Sequence, residues 1–185
     1  NFWEEFGPAA LAMRIRCESM RDIGAAMTPH NAFLLLQGLE TLNLRMQQHV
    51  SNAQAMVTWL QTQDAVAWVN HPDINADAHT KALFPEGAGS MLTFGVKGGR
   101  DAGAAFINAL QLSSNLANVG DSRTLVLHPG STTHSRLSEN DLIAAGIGAD
   151  LIRVSVGIET LKDIQADFSL GLRAAAKIVA QQAEA

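Results

Sequence analysis

The chain has 185 residues, 47% of them hydrophobic and 17% charged, with a net charge of −5. That size and composition suit one compact domain, or one with a fragment of another, and exclude a disordered chain. Lysine and arginine are scattered rather than striped, which argues against a nucleic-acid or anionic-membrane partner, and no apolar run is long enough to span a bilayer.

The opening NFWEEFG has no initiator methionine and reads as the interior of a longer protein. Residues 8–27 carry Ala9, Leu11, Ala12, Ile15, Met20 and Ile23 at helical spacing. Thr28 and Pro29 then suit the cap and first position of a second helix. Its apolar residues, from Phe33 and Leu34 through Met46, Val50 and Ala53 to Leu60, extend it over 28–62 as one long linking helix. Beyond residue 63 the texture turns to short strands and helices. VAWVN (66–70) is a strand stopped by His71 and Pro72, residues 73–87 are a polar loop, and SMLTFGV alternates as a strand does. Asp101 caps a helix holding Phe106 and Leu110; short strands follow at LQLSS and at TLVLH (124–128). Ser138 and Asp141 form a capping box for a short helix that stops at Gly146. LIRVSV (151–156) is the last strand, and Thr160 and Asp163 open a final helix with Leu161, Ile164, Phe168 and Leu172 on one face. The fold class is therefore α/β, a small sheet packed with helices and preceded by a long helix.

Several places invite a chemical reading. TLVLHPGSTTHSRLS (124–138) crowds His128 and His134 among hydroxyls, yet no cysteine or carboxylate stands at zinc spacing and there is no Gly-x-Ser-x-Gly elbow. A loop whose polar side chains satisfy turn backbone is the simpler account. Lys81, in AHTK, has the look of a Schiff-base lysine but sits in a polar, solvated stretch without a glycine-rich pocket. GVKGGRDAG lacks a phosphate-loop ending, and Asn118 precedes a turn at Gly120 and Asp121. Arg153 is different, because it interrupts an apolar strand. It either faces outward, pairs with an acid such as Glu159, or offers a guanidinium fork to a ligand carboxylate or phosphate. The single cysteine, Cys17, cannot close an internal disulfide and suits a reducing cytoplasm.

Taken in order, RDIGAAMTPHNAFLLLQGLETLNLRMQQHVSNA (21–53), FGVKGGRDAG (94–103), LSSNLANVGDSRTLVLHPGSTTHSRLS (112–138) and LIRVSVGIETLKDIQADFSLGL (151–172) resemble the carboxy-terminal part of the Cys/Met-metabolism pyridoxal-phosphate enzymes. Gln37, Glu40, Asn118 and Gly130 resemble the branch acting on O-acetylhomoserine with sulfide or a thiol. Its sister branches are the cystathionine γ-synthases, the cystathionine and methionine γ-lyases and the O-succinylhomoserine enzymes. The resemblance implies the C-terminal portion of a fold-type-I transferase. Residues 1–27 would end the large cofactor-binding domain, 28–62 link, and 63–185 form the C-terminal α/β domain. It further implies that Arg153 holds the substrate α-carboxylate, that Asn118 and Val119 help fix it, and that Thr133 lies near the cofactor. His128, Pro129 and His134 match positions with a structural part. The lysine carrying pyridoxal 5'-phosphate is expected upstream of Asn1, and the chain has no tyrosine to stack on that cofactor. The resemblance also implies a cytoplasmic homotetramer as the whole enzyme, and a 185-residue chain that is inactive alone. As an isolated piece, a non-catalytic packing or oligomerisation domain is the rival reading.

Overall fold

The structure, a computed structural model, describes residues 1–184, apart from the side chain of Glu139. The chain divides into two compact units, Asn1–Leu42 and Asn43–Ala185. The first is a run of short helical pieces: α1 (Phe2–Phe6), a 3-10 turn at Gly7–Ala9, α2 (Ala10–Arg14), a π-helical turn at Ile15–Met20 and α3 (Arg21–Ile23). The helix expected over 8–27 thus begins earlier and stops sooner. Gly24 ends it by adopting a left-handed φ of 67°, which a side chain would resist. Thr28 then caps α4 (Pro29–Glu40), its Oγ1 accepting from the Asn31 N–H at 3.2 Å. No residue of this unit is buried.

The linking helix expected over 28–62 is two helices, α4 and α5 (Leu42–Leu60), parted at Thr41, whose φ/ψ of −106°/6° leaves the helical region. A β-branched residue three positions after Gly38 is where propensity is weakest. The unit boundary falls at this turn because α5 contributes Ala53, Met56, Val57 and Leu60 to the core of the second unit.

That second unit is built on a mixed sheet in the order β1-β2-β5-β4-β3. Its strands are β1 (Val66–Asn70), β2 (Met91–Val96), β3 (Ser114–Asn115), β4 (Leu125–Leu127) and β5 (Leu151–Ser155), every pairing antiparallel except β3 with β4. Alternation sends Leu92, Phe94 and Val96 of β2, and Ile152 and Val154 of β5, to one face. There they meet α5, α7 (Gly99–Ala109) and α9 (Leu161–Glu184). Phe106 stands edge-on to both Phe94 and Phe168, with centroids 5.4 Å apart in each pair, a favoured aromatic geometry. Gly171 permits the close approach of α9, since a Cβ there would lie 2.5 Å from the Phe106 ring.

Three local expectations need correction. Residues 73–87 are not all loop: α6 (Ala78–Leu83) is capped by Asp77, whose Oδ1 accepts from the Thr80 N–H at 2.7 Å. Asp101 lies in the first turn of α7 rather than at its cap, because Gly98 and Gly99, at φ 98° and 68°, turn the chain into the helix three residues earlier. The LQLSS strand shrinks to Ser114–Asn115, because Asp167 of α9 takes the N–H groups of Gln111, Leu112 and Ser113 at 2.6–3.0 Å. By contrast, Ser138 caps α8 (Glu139–Ala144) as expected, and Gly146 follows at φ 72°.

Candidate functional site

Arg153 sits in β5, with β2 hydrogen-bonded on one side and β4 on the other. It stands opposite Thr93 and Leu127 in register, on the face away from the helical core. The residue is half-buried, and among the described residues its guanidinium makes no hydrogen bond and no ion pair. The acid offered as its structural partner is engaged elsewhere. Glu159 accepts from the Thr124 N–H at 2.6 Å with one oxygen and from the Thr124 hydroxyl at 2.8 Å with the other. A half-buried arginine without a protein anion is suited to gripping a planar carboxylate through two parallel bonds.

The loop from Leu116 to Arg123 is brought to the same face. The Gly120 N–H donates to Ser155 Oγ at 3.3 Å, and Ser155 lies two residues beyond Arg153, on the same side of β5. Asn118 and Val119 sit just before Gly120; both are exposed, and Asn118 Oδ1 accepts from the Val119 N–H at 2.9 Å. Gly120 takes φ 74°, and Asp121 closes an Asx turn onto the Arg123 N–H at 3.0 Å. The Asn118–Gly120 turn is therefore tied to the strand that carries Arg153, at a residue two positions further along.

Thr133 belongs to another stretch. It is exposed, its hydroxyl lies 2.9 Å from His134 Nδ1, and no hydrogen bond ties it to Arg153, Asn118 or Val119. The neighbouring His128 is fully buried. Its Nε2 donates to the Ala149 carbonyl at 2.8 Å, and its Nδ1 lies 2.9 Å from Ser131 Oγ. Both ring nitrogens are thus used in closing the loop, and among the described residues no cluster could hold a metal ion. Lys81 lies on α6 rather than in a loop, and it is exposed as expected.

Sequence reasoning missed the residues that grip the far end of β5. His49 Nδ1 donates to the Val156 carbonyl at 2.7 Å, and Asn52 Nδ2 donates to the carbonyls of Gly157 and Glu159 at 3.0 and 2.9 Å. The available signal was polar residues set into the apolar stripe of α5. Trp68 was missed too: its indole N–H donates to Asp150 Oδ2 at 2.7 Å, above Gly95, where a Cβ would strike both groups.

The second unit is thus a small mixed sheet with helices on one face and, on the other, an arginine that makes no ion pair among the described residues. The chain belongs to the Cys/Met metabolism PLP-dependent enzymes, which it matches over residues 9–173. It is 46% identical over 177 residues to the homocysteine synthase of Schizosaccharomyces pombe, covering 94% of this chain and 41% of that protein. It is 43% identical over 172 residues to O-acetyl-L-homoserine sulfhydrylase 1 of Thermus thermophilus, covering 91% of this chain and 41% of that one. Among solved structures it resembles an O-acetylhomoserine (thiol)-lyase of Campylobacter jejuni bearing a pyridoxyl-lysine phosphate. That match has a TM-score of 0.75 and 37% identity, and covers 88% of this chain and 39% of that chain. The chain thus spans about two-fifths of the relatives it matches.

The residues described here do not by themselves fit the cofactor of that family. Lys81, Lys97, Lys162 and Lys177 are all exposed, Lys81, Lys162 and Lys177 on helices and Lys97 just past the end of β2. A Schiff-base lysine needs a desolvated or charge-tuned setting, which a solvated helix surface or strand end lacks.

Proposed function

We propose that the whole protein is a pyridoxal-phosphate-dependent O-acetylhomoserine sulfhydrylase. It replaces the acetate at Cγ with sulfide or a thiol, giving homocysteine or methionine. When bound, pyridoxal phosphate supplies the electron sink for chemistry on the amino-acid carbons. Its lysine is assigned to the portion of the relatives that this chain does not span, and the 185 residues alone are inactive.

What this chain does is hold the substrate. Arg153 takes the α-carboxylate through its guanidinium fork, fixed in the middle of the sheet so that the reacting bond is presented at a constant angle. Asn118 offers a side-chain amide, and Val119 an apolar surface, beside that carboxylate. Thr133, on its exposed loop, faces the cofactor. Residues 1–27 close the large domain, α4 links, and 43–185, with α5 in its core, form the substrate lobe, in a cytoplasmic homotetramer. The observation that carries this reading is Arg153: half-buried in the sheet, without a partner among the described residues, and on the strand to which Ser155 ties the Asn118 turn. The relatives named as sulfhydrylases and a homocysteine synthase support the choice of reaction.

The test of the reaction uses the full-length enzyme with O-acetylhomoserine and, in turn, sulfide, cysteine and no thiol. Homocysteine formed fastest with sulfide is expected. Faster turnover with cysteine would replace this assignment with a cystathionine γ-synthase, and equal turnover without thiol with a γ-lyase.

A further inference from the structure

Two separate pieces of chain carry the proposed carboxylate site, and one side chain ties them together. We propose that Glu159 is a positioning residue: its carboxylate, clasping Thr124, locks the 118–124 turn onto the end of β5 and so sets the place of Asn118 and Val119 relative to Arg153. This inference rests on the carboxylate site proposed above.

The turn reaches β5 and the residues just after it by four routes. Gly120 N–H to Ser155 Oγ is long at 3.3 Å, and Ile158 N–H to the Ser122 carbonyl is ordinary at 3.0 Å. The third is the clasp, in which both Glu159 oxygens accept from Thr124, one from its N–H at 2.6 Å and one from its hydroxyl at 2.8 Å. Bonds to an ionised carboxylate are about twice as strong as neutral ones, and using both oxygens on one residue fixes orientation as well as distance. The Thr124 hydroxyl, fully buried, also accepts from the Gly157 N–H at 3.0 Å, so a single oxygen serves both strands.

The crossing leaves no slack. A Cβ on Gly157 would strike Glu159 Oε2 and come within 2.5 Å of the Arg123 carbonyl carbon and the Thr124 nitrogen. From the α5 side, His49 and Asn52 hold the carbonyls of Val156, Gly157 and Glu159. The backbone after Arg153 is therefore gripped through its carbonyls by α5 and through Gly157 N–H by Thr124. Glu159 does not touch Arg153; it acts through the backbone of both pieces.

The experiment uses the full-length enzyme. Thr124→Val keeps the buried volume but removes the hydroxyl that Glu159 and Gly157 share. It should raise KM for O-acetylhomoserine about tenfold, with kcat within about twofold and KM for sulfide unchanged. Thr124→Ser retains the hydroxyl and should return KM to the wild-type value. Should Thr124→Val fold poorly, Glu159→Gln keeps the size and one acceptor, and should raise KM about threefold. Independently of turnover, amide exchange at Val119 and Gly120 should quicken in these variants while α7 and α9 stay as protected as before. An unchanged KM with unchanged exchange, or an equal rise in KM for sulfide, overturns the proposal. Arg153→Ala is the reference. If its KM rises and those of Thr124→Val and Glu159→Gln do not, the clasp alone is rejected; if its own KM is unchanged, the carboxylate site is rejected, and the positioning role with it.

Discussion

Helix α4 is more apolar in sequence than α5, yet the two meet opposite fates in the structure. Within its unit, α4 leaves Leu34, Leu35, Leu36 and Leu39 between 54% and 61% exposed, and no residue of Asn1–Leu42 is buried. In its own unit, α5 seals Ala53, Met56 and Leu60 completely, and adds the buried polar pair His49 and Asn52. Periodic apolar residues therefore specify a helix in both units, but a core only where a sheet stands ready to receive them. The second unit has that sheet, with Phe94, Phe106 and Phe168 interlocked above it.

The largest way to break this contrast is in the core. Phe168→Ala should cost about 3–5 kcal/mol in denaturant unfolding, because the ring is fully buried and its neighbours close such a cavity only in part. A loss under about 1 kcal/mol would mean that the second unit is far looser than drawn.

A smaller effect comes from acid. Burial pushes the Asp167 carboxyl up, but the N–H groups of Gln111, Leu112 and Ser113 outweigh it and hold the pKa below the ordinary aspartate value. Because the folded pKa is depressed, its stabilisation is complete above the unfolded value, about 3.9, and is lost as pH falls through the lower folded one. Asp167→Asn should lower stability at pH 7 and flatten the acid limb of a stability–pH curve. An acid limb as steep as the wild type's would contradict the role given to this carboxylate.

The smallest effect belongs to α4. In the 185-residue chain, Leu36→Ser should change stability by less than about 0.5 kcal/mol, as exposed substitutions do. The same change in the full-length protein sharpens the comparison. A cost of about 2 kcal/mol there would show α4 packing against residues beyond this chain, and equal small costs would show it solvated in both.

What could be read from sequence was local. The strands around Phe94 and Arg153 alternate within five or six residues, and Ser138 and Asp141 write a helix cap in four. Helix α6 escaped notice because its six residues, AHTKAL, are too few to show a stripe; the one clue was Asp77 three positions before Thr80. The break at Thr41 lies inside an unbroken apolar rhythm that favours continuity. At the site, Arg153 was conspicuous as a cation in an apolar run, and the turn at Asn118 as an Asn–Gly–Asp cluster. Their connection was not legible, since Gly120 meets Ser155 across 35 positions and Thr124 meets Glu159 across the same span. Glu159 was visible only as a possible partner for Arg153, and the structure gives it to Thr124 instead.

The central claim is that the unpaired guanidinium of Arg153 binds the substrate carboxylate. Its most direct test is steady-state kinetics of Arg153→Ala in the full-length enzyme, with the cofactor absorbance recorded alongside. The account predicts a KM for O-acetylhomoserine raised at least about tenfold, with KM for sulfide and the cofactor absorbance unchanged. A KM for O-acetylhomoserine equal to that of the wild type, with the cofactor still bound, would contradict it.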